Sequence, residues 1–111
     1  LNTSYIFNGV LKVWSVLDGR STPSFYDSFN SSSITDSGTG DYRLVFTNGF
    51  STKYYCIING HEHTVSDVGC NAPASQSDNT HTTAQARLLC VENSANRDPV
   101  YYDTMISGDL A

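Results

Sequence analysis

Apolar residues recur in this chain at every second position, in short runs cut by turn residues, and nowhere at helical spacing over a useful length. A period of two is the mark of a strand with one face buried. In residues 10–17, Val10, Lys12, Trp14 and Val16 share one face and Leu11, Val13, Ser15 and Leu17 the other, with Asp18-Gly19 closing the run. A weaker run begins at 24–26. Asp36-Ser37-Gly38-Thr39-Gly40-Asp41 is the sharpest turn signal, with Gly38 and Gly40 free to take positive φ. It leads into a strand over 42–46, where Tyr42, Leu44 and Phe46 share a face. Asn48-Gly49 is the dipeptide of a type I′ hairpin. Residues 54–59 are apolar up to the closing Asn59, as expected of a strand covered on both faces. A polar loop over 71–83 separates this run from a strand over 84–92, in which Ala86, Leu88 and Cys90 stand opposite Arg87, Leu89 and Val91. A turn over 93–99 precedes the last strand, 100–107. About seven short strands at such intervals predict an all-β fold, a small antiparallel β-sandwich with under about 10% helix.

With 111 residues and 12.1 kDa, the chain fits one domain, 1–111. Charged residues make up only 15%, against about 25% in an ordinary soluble domain, so Ser, Thr, Asn and Gly must cover much of the surface. The net charge is −5 and the six basic residues are scattered, which disfavours nucleic acid and anionic membrane as partners. No apolar run approaches the length of a membrane span, and no signal segment opens the chain. Leu1 stands where a start codon would place Met, so the chain reads as a module of something longer, or as processed. Cys56, Cys70 and Cys90 form neither a disulfide framework nor a zinc pattern, which fits a reducing assembly compartment. Cys56 and Cys90 lie in apolar runs and read as core residues, and Cys70 as a loop thiol.

The residues point away from catalysis. No serine sits in a G-x-S-x-G elbow, and no spacing supports Cys70 with His61 or His81 as a thiol–imidazole pair. The oxygen-rich 36–41 segment lacks the ligand spacing and terminal Glu of an EF-hand. Asn2-Thr3-Ser4 and Asn30-Ser31-Ser32 match the N-glycosylation pattern, which polar β chains produce often by chance. His61-Glu62-His63 is the one candidate metal site. In extended backbone His61 and His63 point to the same side, and three chains around a threefold axis would offer six imidazoles to a divalent transition metal. An ordinary pair of surface histidines is the competing reading.

Gly9-Val10-Leu11-Lys12-Val13-Trp14 with Asp18-Gly19 resembles the opening of a tail-fibre domain found in marine phages and cyanophages, G-V-x-K-A-W-V-N-F followed by N-G or D-G. Asp27-Ser28-Phe29-Asn30-Ser31-Ser32-Ser33-Ile34-Thr35-Asp36-Ser37-Gly38-Thr39-Gly40-Asp41-Tyr42 is similar to its centre, D-S-F-N-V-S-S-I-T-D-N-G-T-G-D-Y. Phe46-Thr47 and Tyr54 or Tyr55 fit its continuation. Val16-Leu17 departs from the family's Asn-Phe, and Ser31 replaces an apolar residue. The resemblance covers 9–55 and implies a non-enzymatic bacteriophage virion structural protein, assembled in the bacterial cytoplasm. It further implies a tail-fibre or surface-fibre homotrimer that contacts other virion proteins and a host-surface glycan or receptor. A capsid decoration (cement) or head-fibre protein is the alternative within the virion, and a carbohydrate-binding module of a secreted enzyme is the alternative outside it. On this reading Trp14 and Tyr42 anchor the core.

Overall fold

The computed structural model describes residues 3–62, 70–73, 82–92 and 95–111. Among the described residues a seven-residue helix, α1 (Thr3–Gly9), precedes nine strands. They are β1 (Leu11–Asp18), β2 (Ser24–Phe29), β3 (Ser31–Gly38), β4 (Asp41–Phe46), β5 (Cys56–Glu62), β6 (Cys70–Pro73), β7 (Gln85–Glu92), β8 (Ala95–Asn96) and β9 (Tyr101–Ser107). All pairings are antiparallel. One sheet runs β2-β1-β9-β5 and the other β3-β4-β7-β6, with β8 also paired to β7. The two sheets make the expected β-sandwich.

Alternation decides which side chains meet between the sheets. Val13 and Leu17 of β1 and Tyr102 and Ile106 of β9 face Tyr42, Leu44 and Phe46 of β4 and Ala86, Leu88 and Cys90 of β7. Phe46, Phe50 and Tyr55 close one end as an aromatic cluster, with Phe50 and Tyr55 stacked at 4.6 Å between ring centroids. The Tyr55 hydroxyl lies 2.7 Å from the Thr82 carbonyl and 2.9 Å from that of Gln85.

The β3–β4 turn falls where the sequence puts it. Gly38 has φ 135° and Gly40 φ 63°. Gly40 has a second reason to be glycine, because a Cβ there would stand 2.6 Å from the Arg97 carbonyl oxygen. The Gly40 N–H donates to Asp98 Oδ1 at 2.8 Å, and the Tyr42 hydroxyl lies 3.0 Å from that same oxygen and 3.0 Å from the Gly19 carbonyl. One buried tyrosine therefore ties the end of β1 to the turn and to the segment before β9.

Several expectations need correction. Asn48-Gly49 makes no hairpin: Gly49 lacks the positive φ of a type I′ turn, and Phe50 continues into the core toward the other sheet. Asn30, itself at φ 55°, holds this crossover, accepting the Asn48 N–H at 2.7 Å and donating its amide to the Lys12 and Asn48 carbonyls. That side chain is thus committed to the fold rather than presented as a glycosylation acceptor. The 71–83 loop contains β6, and the 93–99 turn contains β8. The run 54–59 is covered on one face only, since Tyr55 is buried while Ile58 is 61% exposed. Cys56 is exposed rather than core, as its place in the β5 alternation dictates, whereas Cys90 is buried. Trp14 lies on the outer side of β1, because the β1 residues that reach the core are Val13, Ser15 and Leu17.

Candidate interaction surface

The outer faces of the two sheets differ in kind. On the β3-β4-β7 side the outward positions carry Ser33, Thr35, Asp41, Arg43, Gln85 and Arg87, with Val45 and Leu89 half-buried among them. Asp41 sits between two guanidinium groups, 2.6 Å from Arg43 Nη1 and 3.1 Å from Arg87 Nη2. Burial pushes its carboxyl up, but the hydrogen bonds from Arg87 and Arg43 outweigh that and hold it below the usual carboxylate range. The exposed part of this face is mostly polar.

The outer face of the β2-β1-β9-β5 sheet is not. Residues directly opposite in an antiparallel pair lie on the same side. Trp14 stands opposite Phe29 on one flank and Met105 on the other, and Met105 stands opposite Ile58. Phe29, Trp14, Met105 and Ile58 thus form one apolar row across all four strands. Ile58 is 61% exposed, Phe29 55% and Met105 42%. The next row reads Asp27, Val16, Asp103 and Gly60, so two carboxylates flank the apolar band and Gly60 leaves a gap at its β5 end. A groove of about 460 Å³ lies over Leu11, Trp14, Val16, Ile58 and Met105, with Asp103 also in its lining. A second, of about 490 Å³, is lined by the apolar Val10, Leu11, Phe29 and Leu110 and the polar Lys12, Asn30, Thr47 and Asn48. Leu11 borders both, and Phe29 borders the second while standing in the apolar row, so the two grooves adjoin at this end of the sheet. Beside it, α1 exposes Tyr5 and Ile6 and makes no extended contact with any described strand. So short a helix is marginal alone in water.

The opposite end of this sheet is polar and aromatic. Tyr26 and Tyr101 meet at 4.9 Å between ring centroids. Arg20 forks onto both oxygens of Asp18 at 3.0 Å, and that hydrogen bonding lowers the Asp18 carboxyl to about 2.

The candidate metal pair is described only in part. The β5 strand continues through Gly60 to Glu62, with His61 opposite Tyr102, so the backbone is extended where the pair begins. His63 and His81 lie outside the described residues, and Cys70 opens β6 rather than a loop. Among the described residues no group of three or more His, Cys, Asp or Glu could hold a metal ion. Sequence reasoning missed the apolar row itself. Its signal was the unbroken apolar stretch at 54–58, which marks an uncovered outer face as readily as a covered one.

Comparison with protein-family models, with curated proteins and with solved structures finds no match to this chain.

Proposed function

We propose that the chain is a non-enzymatic structural domain of a bacteriophage virion, a tail-fibre or surface-fibre module that works as a homotrimer and contributes to host-surface attachment. The observation that carries this reading is the contrast between the two outer faces: one is mostly polar and ion-paired around Asp41, the other carries an exposed apolar row across all four strands. Such a patch often marks a functional surface, and a domain whose task is assembly has a use for it.

The phage-like motif fits the same reading through what its residues do. Gly40, Asp41, Tyr42 and Asn30 are engaged in turn geometry, ion pairing and the sheet-to-sheet crossover. A motif built of such residues preserves a scaffold rather than a reaction. The acidic balance of −5 and the flanking Asp27 and Asp103 argue for a protein or sugar partner over nucleic acid.

Light scattering on the purified chain tests the assembly at the heart of this reading. The expected mass is three times 12.1 kDa at micromolar concentration. A species of 12.1 kDa that persists to high concentration contradicts it.

A further inference from the structure

We infer that the outer face of the β2-β1-β9-β5 sheet is the contact between copies of this chain, made head to tail, with the Phe29 edge of one copy seated in the groove over Trp14, Met105 and Ile58 of the next. This rests on the homotrimeric reading above and names the surface that would make it.

Area is the first argument for a second copy as the occupant. Val10, Leu11, Phe29, Ile58 and Met105 leave on the order of 500 Å² exposed, at the upper end of the ~300–600 Å² reached by the largest patch of a typical monomer, a size that often marks a functional surface. Shape is the second. The row is not uniform along its length: a rigid aromatic stands out at the β2 edge, 55% exposed, while Gly60 opens a gap at the β5 end of the groove. A projection at one end and a recess at the other suit a heterologous contact, and a heterologous contact that closes gives a ring. Charge is the third. The apolar row carries no charged residue, and its neighbours Asp27 and Asp103 are both acidic, which disfavours nucleic acid or an anionic bilayer as the cover.

Cys56 supplies a reporter independent of mass. It is an exposed thiol on β5, two residues before Ile58 and therefore on the same face. A neighbouring copy seated over Ile58 would shield it.

The test compares the unmodified chain with Ile58→Lys and with Met105→Lys by light scattering, together with mass-mapped alkylation of Cys56 by a maleimide. Both substituted positions are exposed, so circular dichroism and the unfolding transition at low concentration should show the fold retained. The unmodified chain should be trimeric and both variants monomeric, with Cys56 alkylated at least ten-fold faster in the variants. Trimers of unchanged mass and unchanged Cys56 reactivity in both variants overturn this face while leaving the trimeric reading in place. A monomeric unmodified chain overturns both. Variants that stay trimeric but lose binding to host cells or to isolated surface glycan assign the face to that ligand instead, and also overturn the inference.

Discussion

Replacing Tyr42 with Phe removes a single oxygen from a site where three parts of the chain meet. The ring is 1% exposed and Phe fills the same volume, so the apolar packing of Tyr42 against Leu44 and Leu88 should survive. What goes is a hydroxyl 3.0 Å from both the Gly19 carbonyl and Asp98 Oδ1. A hydroxyl has one proton, so it makes one strong bond and not two, and the carboxylate is the better acceptor. Hydrogen bonds to charged groups contribute about 1.5–3 kcal/mol, and Asp98 keeps the Gly40 N–H at 2.8 Å and partial access to water. The lower half of that range applies, about 1.5–2 kcal/mol. For a domain of this size that lowers Tm by roughly 6–10 °C. The assay is thermal and urea unfolding of both proteins at one matched concentration, because an oligomer's Tm depends on concentration. A loss below about 0.5 kcal/mol would show that the hydroxyl is not what joins the β3–β4 turn to Asp98 and Gly19.

Tyr42, Tyr55 and Tyr102 each have their phenol pushed above its ordinary value of 10.0, chiefly by burial. Folding therefore favours the neutral form, its contribution is fully present below pH 10, and it is lost as pH rises beyond that. Unfolding midpoints should fall steeply above pH 10, with three of the seven tyrosines ionising only at the transition, and ionisation of all seven without unfolding contradicts this. On the inner face, Ser15 and Thr104 stand opposite each other with hydroxyls that find no partner among the described residues. Thr104→Val should leave stability unchanged or raise it by up to about 1 kcal/mol, measured by urea unfolding, and a clear loss would reveal a partner for that oxygen.

Alternation carried most of the fold. Tyr42, Leu44 and Phe46, and then Ala86, Leu88 and Cys90, declare their shared faces because the residues between them include polar ones. Alternation fails where both neighbours are apolar. In 54–59 no polar residue marks the outer side, so Cys56 and Ile58 read as buried although they face outward. Trp14 misleads for the same reason, since Val13 and Trp14 are both apolar and only the register shows which one meets Tyr102 and Ile106. Strand β6 hides because it is short, lies at the end of its sheet and finishes on Pro73, a residue tolerated at such an edge. The candidate surface was the least legible part. Phe29, Trp14, Met105 and Ile58 come from four separate strands, and only the pairing of β2, β1, β9 and β5 brings them into one row.

The most direct measurement of the central claim is the position of this chain on an intact particle. Gold-labelled antibody against the folded domain should decorate the tail fibres or surface fibres of virions whose genome encodes the sequence, and the label should appear in sets consistent with three copies per fibre. Particles that carry no label, with the protein found only in the infected cell or its medium, would contradict a virion structural role.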